Sequence, residues 1–402
     1  MSSIANKKID LMYVEGPGDV VEVLRKWHKQ ENVLSETSQT FSGQVFDFCK
    51  KNHLNTLALS AFHEKKSVTF ENFSAYSKPK ITLRGGLGYH IAQVIHGLRI
   101  VAIAIRIRPK YLHITNGVTH WFVLAPLKLF GIKIFPHFHN TFWAKGYPPS
   151  GKIQKIFLKL DAWFLKKLSS SALCCSPEIQ HQIAEITGNQ SCPTYWFKAQ
   201  FYRENFENPL PPPPHNVRPF TIVFAGRIER DKGVFDILNT AKRFKNEPVL
   251  FHICGDGSDL NALKDECNTQ GLQNNVIIHG RLKRPELLNI YLKGHVVIVP
   301  TRSDFCEGLP LVAIEAVLLG RPVITSSLSN ALDVLGQAII EAQPDSVDSY
   351  VYTINQLMLN QSLFEDKQLA CSNLREQFLN AEQGLANVLQ HTLDPTVYIH
   401  SN

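Results

Sequence analysis

The sequence predicts an α/β protein built as two domains. Strand–loop–helix alternation becomes regular from Phe220 onward, as in parallel-sheet folds. The length of 402 residues gives two domains of ordinary size. The run Pro209-Leu210-Pro211-Pro212-Pro213-Pro214 can continue neither a helix nor a strand ladder and therefore marks a boundary. A hydrophobic content of 44% against 19% charged residues fits packed cores and excludes a disordered chain. The expected division is 1–200, a linker over 201–217, a second domain over 218–375, and a last helical segment, 376–402.

In chain order, Lys8 to Val14 reads as a first strand, followed by Glu15-Gly16-Pro17-Gly18-Asp19 and a helix to about Lys29. Gly16 and Gly18 let the backbone approach a ligand after a parallel strand, or else serve only a tight strand–helix turn. A helix over Phe41 to Asn52 and strands over Thr56 to Ala61 and Val68 to Phe73 continue the alternation. Arg84-Gly85-Gly86-Leu87-Gly88 opens an apolar helix to about Arg108 and reads as its cap rather than as a phosphate loop. The next expected elements are a strand ending at Thr115, a helix from Thr119 to Phe130 and a strand from Lys133 to Pro136. His137 and His139 then fall just past a strand's carboxyl end, where open α/β sheets bind ligands; a hydrogen-bonded core histidine is the competing reading. A helix over Lys152 to Leu168, a strand over Ala172 to Cys175 and a bridge over Tyr195 to Asn216 complete the first half.

In the second half, strand Thr221–Ala225 leads into Gly226-Arg227-Ile228-Glu229-Arg230-Asp231-Lys232-Gly233 and a helix to Phe244. Strand Val249–Cys254 ends in Gly255-Asp256-Gly257, and strand Val276–His279 in Gly280-Arg281-Leu282. Strand Val296–Pro300 delivers the chain to Thr301–Thr325. There Pro310 suits a first helical turn and Gly320 the position past a helix end. The helix between them has almost no polar face apart from Glu315, an acid that is costly to bury without a partner. Its free N–H groups and dipole make an anion site at Gly308, Leu309 and Leu311, for which phosphate is the usual occupant. Glu307 at the mouth and Glu315 two turns in then offer acceptor oxygens to hydroxyls on either side, the layout of a sugar nucleotide.

The segment E-G-L-P-L-V-A-I-E-A-V-L-L-G-R-P-V-I, with seven residues between Glu307 and Glu315, resembles the E-x7-E signature of retaining, GT-B-fold glycosyltransferases of family 4. G-R-x4-K-G at Gly226–Gly233 resembles the same family. The resemblance implies two Rossmann-like domains facing across a cleft, the second binding a UDP- or GDP-linked sugar. Arg227 and Lys232 would straddle the donor diphosphate, with Gly226 and Gly255 beside the nucleotide and Arg281 and Leu282 bracketing the base. Glu307 would hold sugar hydroxyls, Glu315 the ribose, and His139 the donor sugar, with His137 as runner-up; Gly16 and Gly18 would face the donor phosphates. It further implies hexosyl transfer without a metal or other cofactor to an unknown acceptor, such as a lipid-linked or polysaccharide precursor, and a last helix crossing back to the first domain, for which Leu363 to His391 is long enough. The chain departs from the family pattern in three places: GPGD stands for a Gly-Gly pair, YWFKAQFYRENF lacks an Asn-Gly-Val-Asp run, and SSLSNALDVLG replaces a Gly-Gly-x-x-E turn. A sugar-nucleotide epimerase and a non-catalytic partner subunit are the alternatives.

The net charge of +7 conceals an asymmetry, since residues 1–200 carry +13 and residues 201–402 carry −6. The first half therefore faces something anionic. No nucleic-acid motif accompanies the charge. Lys152 to Leu168 sets Lys152, Lys155, Lys159 and Lys166 among Ile153, Ile156, Phe157, Leu160, Trp163 and Phe164, the pattern of a helix lying on an anionic membrane or of a core helix with a solvated lysine face. The eight cysteines form no C-x-x-C pair and read as reduced, buried thiols of a cytoplasmic protein. Neither a signal peptide nor a run of eighteen apolar residues is expected.

Overall fold

The computed structural model describes residues 8–31, 37–83, 85–207 and 209–393, so that Arg84 of the glycine motif and the end of the expected C-terminal segment lie outside it. The chain forms two compact units, and the α/β class is borne out in both. Unit 1 holds the chain up to Asn140, Pro149–Gln200 and the residues from Asn380 on; unit 2 holds Thr141–Pro148 and Phe201–Leu379.

In unit 1, β1 (Leu11–Glu15) leads through the Gly16–Gly18 turn to α1 (Val20–His28), whose first turn is capped by the Asp19 carboxylate accepting from the Glu22 amide. α2 (Phe41–Lys51) is capped by Thr40. β2 (Thr56–Ser60) follows. The single strand expected over Val68–Phe73 is instead an antiparallel hairpin, β3 (Lys66–Phe70) and β4 (Phe73–Ser77). Glu71 turns it with φ +44°, a conformation rare for a non-glycine residue, and no Gly or Pro announces it.

α3 (Gly86–Ile107) starts at Gly85, with φ +81° and no side-chain cap. β5 (Tyr111–Thr115) comes next, and the helix expected over Thr119–Phe130 is a 3₁₀ helix, Trp121–Phe130, with Pro126 inside it. Pro126 lacks the N–H that an α-helix would use there. β6 (Lys133–Phe138) runs two residues further than its sequence suggests, so His137 lies inside the strand rather than past it. α4 (Lys152–Lys167), β7 (Ala172–Cys174), α5 (Pro177–Thr187) and β8 (Thr194–Trp196) follow, and β8 places the start of the expected bridge in the sheet. The sheet order is β3-β4-β2-β1-β5-β6-β7-β8, parallel except at the β3–β4 edge.

Unit 2 is regular: β9 (Phe220–Ala225), α6 (Val234–Arg243), β10 (Val249–Cys254), α7 (Leu260–Thr269), β11 (Val276–Gly280), α8 (Arg284–Lys293), β12 (Val296–Val299), α9 (Leu311–Leu318), β13 (Val323–Ser326), α10 (Leu332–Leu335), β14 (Ile339–Ala342), α11 (Val347–Leu359) and α12 (Gln361–Leu374). All six strands are parallel, in the order β11-β10-β9-β12-β13-β14. Strands buried on both faces read as continuous apolar runs, as in Phe220–Ala225. Phe220, Ile222, Phe251, Ile253 and Ile298 centre the core, with Leu238, Ile354 and Phe364 packed on it from the helices.

Leu363 to His391 is not one helix. It breaks after Leu374 into two short 3₁₀ turns, and α13 (Leu385–Leu393) resumes in unit 1, where the Gln44 side chain accepts from the Leu385 amide at 2.9 Å and Gln390 accepts from Asn52 at 2.8 Å.

Candidate functional site

The loop between β12 and α9 carries the central carboxylate of unit 2. Glu307 is buried to 9% exposure, and its two oxygens are both engaged: Lys232 Nζ donates to Oε1 at 3.3 Å and Thr301 Oγ1 donates to Oε2 at 2.8 Å. Lys232 Nζ also lies 3.6 Å from the Phe305 ring centroid, a cation–π contact. An ammonium, a carboxylate and an aromatic ring are thus gathered at the start of α9, although Lys232 and Glu307 are 75 positions apart.

The loop is held by its backbone. Asn330 donates through Nδ2 to the carbonyls of Glu307 and Gly308, the latter at 2.8 Å. Thr141 Oγ1 donates to the Glu307 carbonyl at 3.3 Å, and Ser326 Oγ to the Thr301 carbonyl at 2.6 Å. Asn330 and Ser326 belong to the segment that departs from the Gly-Gly-x-x-E pattern. Sequence reasoning missed Asn330, Thr301 and Thr141, because a clamp on a backbone carbonyl has no local signature.

α9 begins at Leu311, with Pro310 extended just before it, and Gly320 (φ +79°) follows its end. Its Ala313, Ile314, Ala316, Val317 and Leu318 are buried, whereas Leu311 is partly exposed. Glu315 is partly buried and accepts from Tyr291 Oη at 3.4 Å. Burial pushes its carboxyl up to about 7, against smaller opposing effects of the Tyr291 hydroxyl and the Arg284 charge.

Arg227 is not drawn to this cluster by a direct contact: its guanidinium pairs with Glu229 at 2.5 Å and is more than half exposed. Arg281 is likewise exposed, and Leu282 partly so. The glycine turns after β9, β10 and β11 are laced together, with the Gly226 amide donating to the Cys254 carbonyl at 3.0 Å and the Gly255 amide to the Gly280 carbonyl at 2.9 Å. A Cβ on Gly255 would sit 1.7 Å from the Gly226 carbonyl oxygen. The backbone packing therefore demands glycine at 255 whether or not a ligand approaches.

Unit 1 has its own polar cluster at the carboxyl ends of β1, β5 and β6. Tyr13 Oη donates to Glu15 Oε2 at 3.4 Å, Tyr13 stacks on His113, and His113 Nε2 lies 3.2 Å from His137 Nδ1. Burial raises the Glu15 carboxyl and holds His137 well below its usual value. His137 is fully buried, whereas His139, pushed down to about 4 by burial, keeps partial access and positions its backbone on Asn116 Oδ1 at 3.1 Å. His139 is thus a neutral imidazole at pH 7, able both to donate and to accept. A Cβ at Gly16 would meet open space, while one at Gly18 would strike the Glu15 carboxylate at 2.2 Å. Among the described residues no group of three His, Cys, Asp or Glu is placed to hold a metal ion.

Comparison with known proteins falls on the same elements. Residues 206–377 match the family model Glycosyl transferases group 1. The glycogen synthase of Mycobacterium tuberculosis is 24% identical over 196 residues, 48% of this chain and 45% of that one. The chain thus spans about half the length of the curated relatives it matches. Among solved structures, the sucrose-phosphate synthase of Thermosynechococcus elongatus superposes with a TM-score of 0.71 at 13% identity, covering 98% of this chain and all of that one. Anabaena Alr3699/HepE in complex with UDP superposes with a TM-score of 0.62 at 12% identity over 97% of this chain and 99% of that one. These likenesses show the GT-B architecture of two Rossmann-like domains.

Proposed function

We propose that this chain is a retaining glycosyltransferase that moves a sugar from a nucleotide-sugar donor, UDP- or GDP-linked, to an acceptor hydroxyl. The observation that carries this reading is the Lys232–Glu307 pair at the start of α9. Lys232 is the cation that meets the donor diphosphate together with the helix N-terminus, and Arg227 swings from Glu229 to join it. Displaced from Lys232 by the diphosphate, the Glu307 carboxylate accepts from donor sugar hydroxyls, and the Glu315 carboxylate accepts from the ribose.

In the transfer, the bond from the anomeric carbon to the diphosphate oxygen breaks and the acceptor oxygen bonds to that carbon on the same face. The departing diphosphate takes the acceptor proton, so configuration is retained. Lys232, Arg227 and the α9 amides stabilise the charge growing on the leaving group. Supporting this reading are the family match over residues 206–377 and structural likeness to a protein that holds UDP.

The test is a panel of UDP-, GDP- and ADP-sugars assayed for binding and turnover, with the anomeric configuration of any product read by NMR. Turnover with retention is the expected result. Absence of binding across the panel would overturn the donor assignment, and an inverted product would overturn the mechanism.

A further inference from the structure

We propose that unit 1 docks onto an anionic lipid bilayer through a face formed jointly by α3 and α4. This goes beyond glycosyl transfer and does not depend on it.

α3 exposes Leu87, Ile91, Ile95 and Leu98, spaced four, four and three residues apart and so aligned in one stripe. α4 exposes Ile153, Ile156, Leu160 and Trp163 in a second stripe, with Ile156 at 58% and Trp163 at 45% exposure. The two helices meet. His90 of α3 stacks on Phe157 of α4 with centroids 4.3 Å apart, and His120 stacks on the same ring at 4.4 Å while lying 3.0 Å from His90. The stripes thus flank one aromatic junction instead of being scattered. Apolar surface of that extent on a soluble domain marks an interaction site.

α3 has the length and apolar content of a membrane span. Its opposite face, however, is committed to unit 1, where Ala92, Gly97 and Ile100 are buried and a Cβ on Gly97 would strike Thr119 Oγ1 at 2.1 Å. A helix held in this way lies in the interfacial plane, its free stripe entering the headgroup boundary, with Trp163 at the depth that indoles favour.

Charge selects the occupant. Between Glu71 and Glu178 the chain carries fifteen Lys and Arg and one acid, Asp161. Asp161 is buried, accepting from the Phe122 amide and facing His120, so it neutralises nothing at the surface. Lys152, Lys155, Lys159 and Lys167 border the α4 stripe, exposed and, among the described residues, without an ion-pair partner. A second copy of this face would bring like charges together, whereas acidic headgroups complement it.

The experiment is vesicle co-sedimentation of the full chain. The vesicles contain either phosphatidylglycerol with phosphatidylethanolamine or phosphatidylcholine alone, each at low and high salt. Expected is binding to the anionic vesicles only, reduced about fivefold for each charge removed in Lys152→Gln, Lys155→Gln and Lys159→Gln. It should be lost in Ile156→Asp/Leu160→Asp and separately in Leu87→Asp/Ile91→Asp. Each variant is exposed in its wild-type form, and an unchanged melting temperature and donor turnover show that the fold survives. Three results would overturn the proposal: no binding of the wild-type chain to anionic vesicles at low salt, binding that both aspartate pairs leave intact, or self-association of the wild-type chain in sedimentation velocity that the same pairs abolish.

Discussion

Lys232 and Glu307 form an ion pair at 3.3 Å, joining the loop that follows β9 to the loop that precedes α9. Thr301 holds the second oxygen of Glu307, and Asn330 holds its backbone. The carboxylate is thereby fixed, while the ammonium, on a flexible stem beside Phe305, is the mobile member.

If the proposed function holds, Lys232→Ala removes a charge that the transition state needs, and it leaves Glu307 without its cation. Turnover should fall by roughly 10²–10³, and the melting temperature should fall as well, because Glu307 is buried to 9% exposure and loses its cation. Steady-state kinetics beside thermal melts checks this, and undiminished turnover would refute the diphosphate role of Lys232.

Glu315 supplies a pH dependence whose sign is unusual for a carboxylate. Its folded value, about 7, lies above the unfolded 4.5, so between those values the native state binds more protons than the unfolded chain. Its contribution to stability therefore declines as pH rises from 4.5 to 7, by on the order of 3 kcal/mol. Glu315→Gln abolishes that slope. Urea titrations of both proteins from pH 5 to 8 should diverge progressively, and parallel curves would remove Glu315 as the cause.

Arg321 is fully buried and, among the described residues, has no ion-pair partner. Its guanidinium donates to the carbonyls of Tyr291, Leu292, Leu210, Pro211 and Leu319, tying α8, the end of α9 and the proline run together. Desolvation brings its pKa down to about 10. Arg321→Met would take a donor from each of those carbonyls at once and should cost roughly 3 kcal/mol or more, measured by urea unfolding. A loss under 1 kcal/mol would show that water replaces the guanidinium.

Gly255→Ala and Gly16→Ala form a contrasting pair. At Gly255, where φ is +148°, the added carbon collides with the Gly226 carbonyl, and the variant should be destabilised by several kcal/mol or fail to accumulate folded. At Gly16 nothing lies within 4 Å, so the fold should survive. A drop in transfer in Gly16→Ala at unchanged melting temperature would tie that turn to a ligand, and full activity would leave it a plain strand–helix turn.

The parts legible in the sequence share a short range. β9 and β10 appear as apolar runs leading into glycine because a strand buried on both faces leaves no room for polar alternation, and the turn after it needs free backbone angles. The E-x7-E spacing and the G-R-x4-K-G loop are local in the same sense. In unit 1 the reading was coarser: the β3–β4 hairpin turns at Glu71 without a glycine, Pro126 converts an expected α-helix to 3₁₀, and β6 runs on through His137.

By itself, then, the chain's order of residues determined the α/β class, the strand-end loops and the two acids with seven residues between them, since each follows from periodicity and turn chemistry within a few positions. Only the tertiary structure decided that Lys232 would meet Glu307, that Asn330 would clamp the loop between them and that the stripes of α3 and α4 would share one junction at His90 and Phe157. Those contacts join residues that packing alone brings together, and no local pattern encodes which distant partner a buried polar group or an exposed apolar face will find.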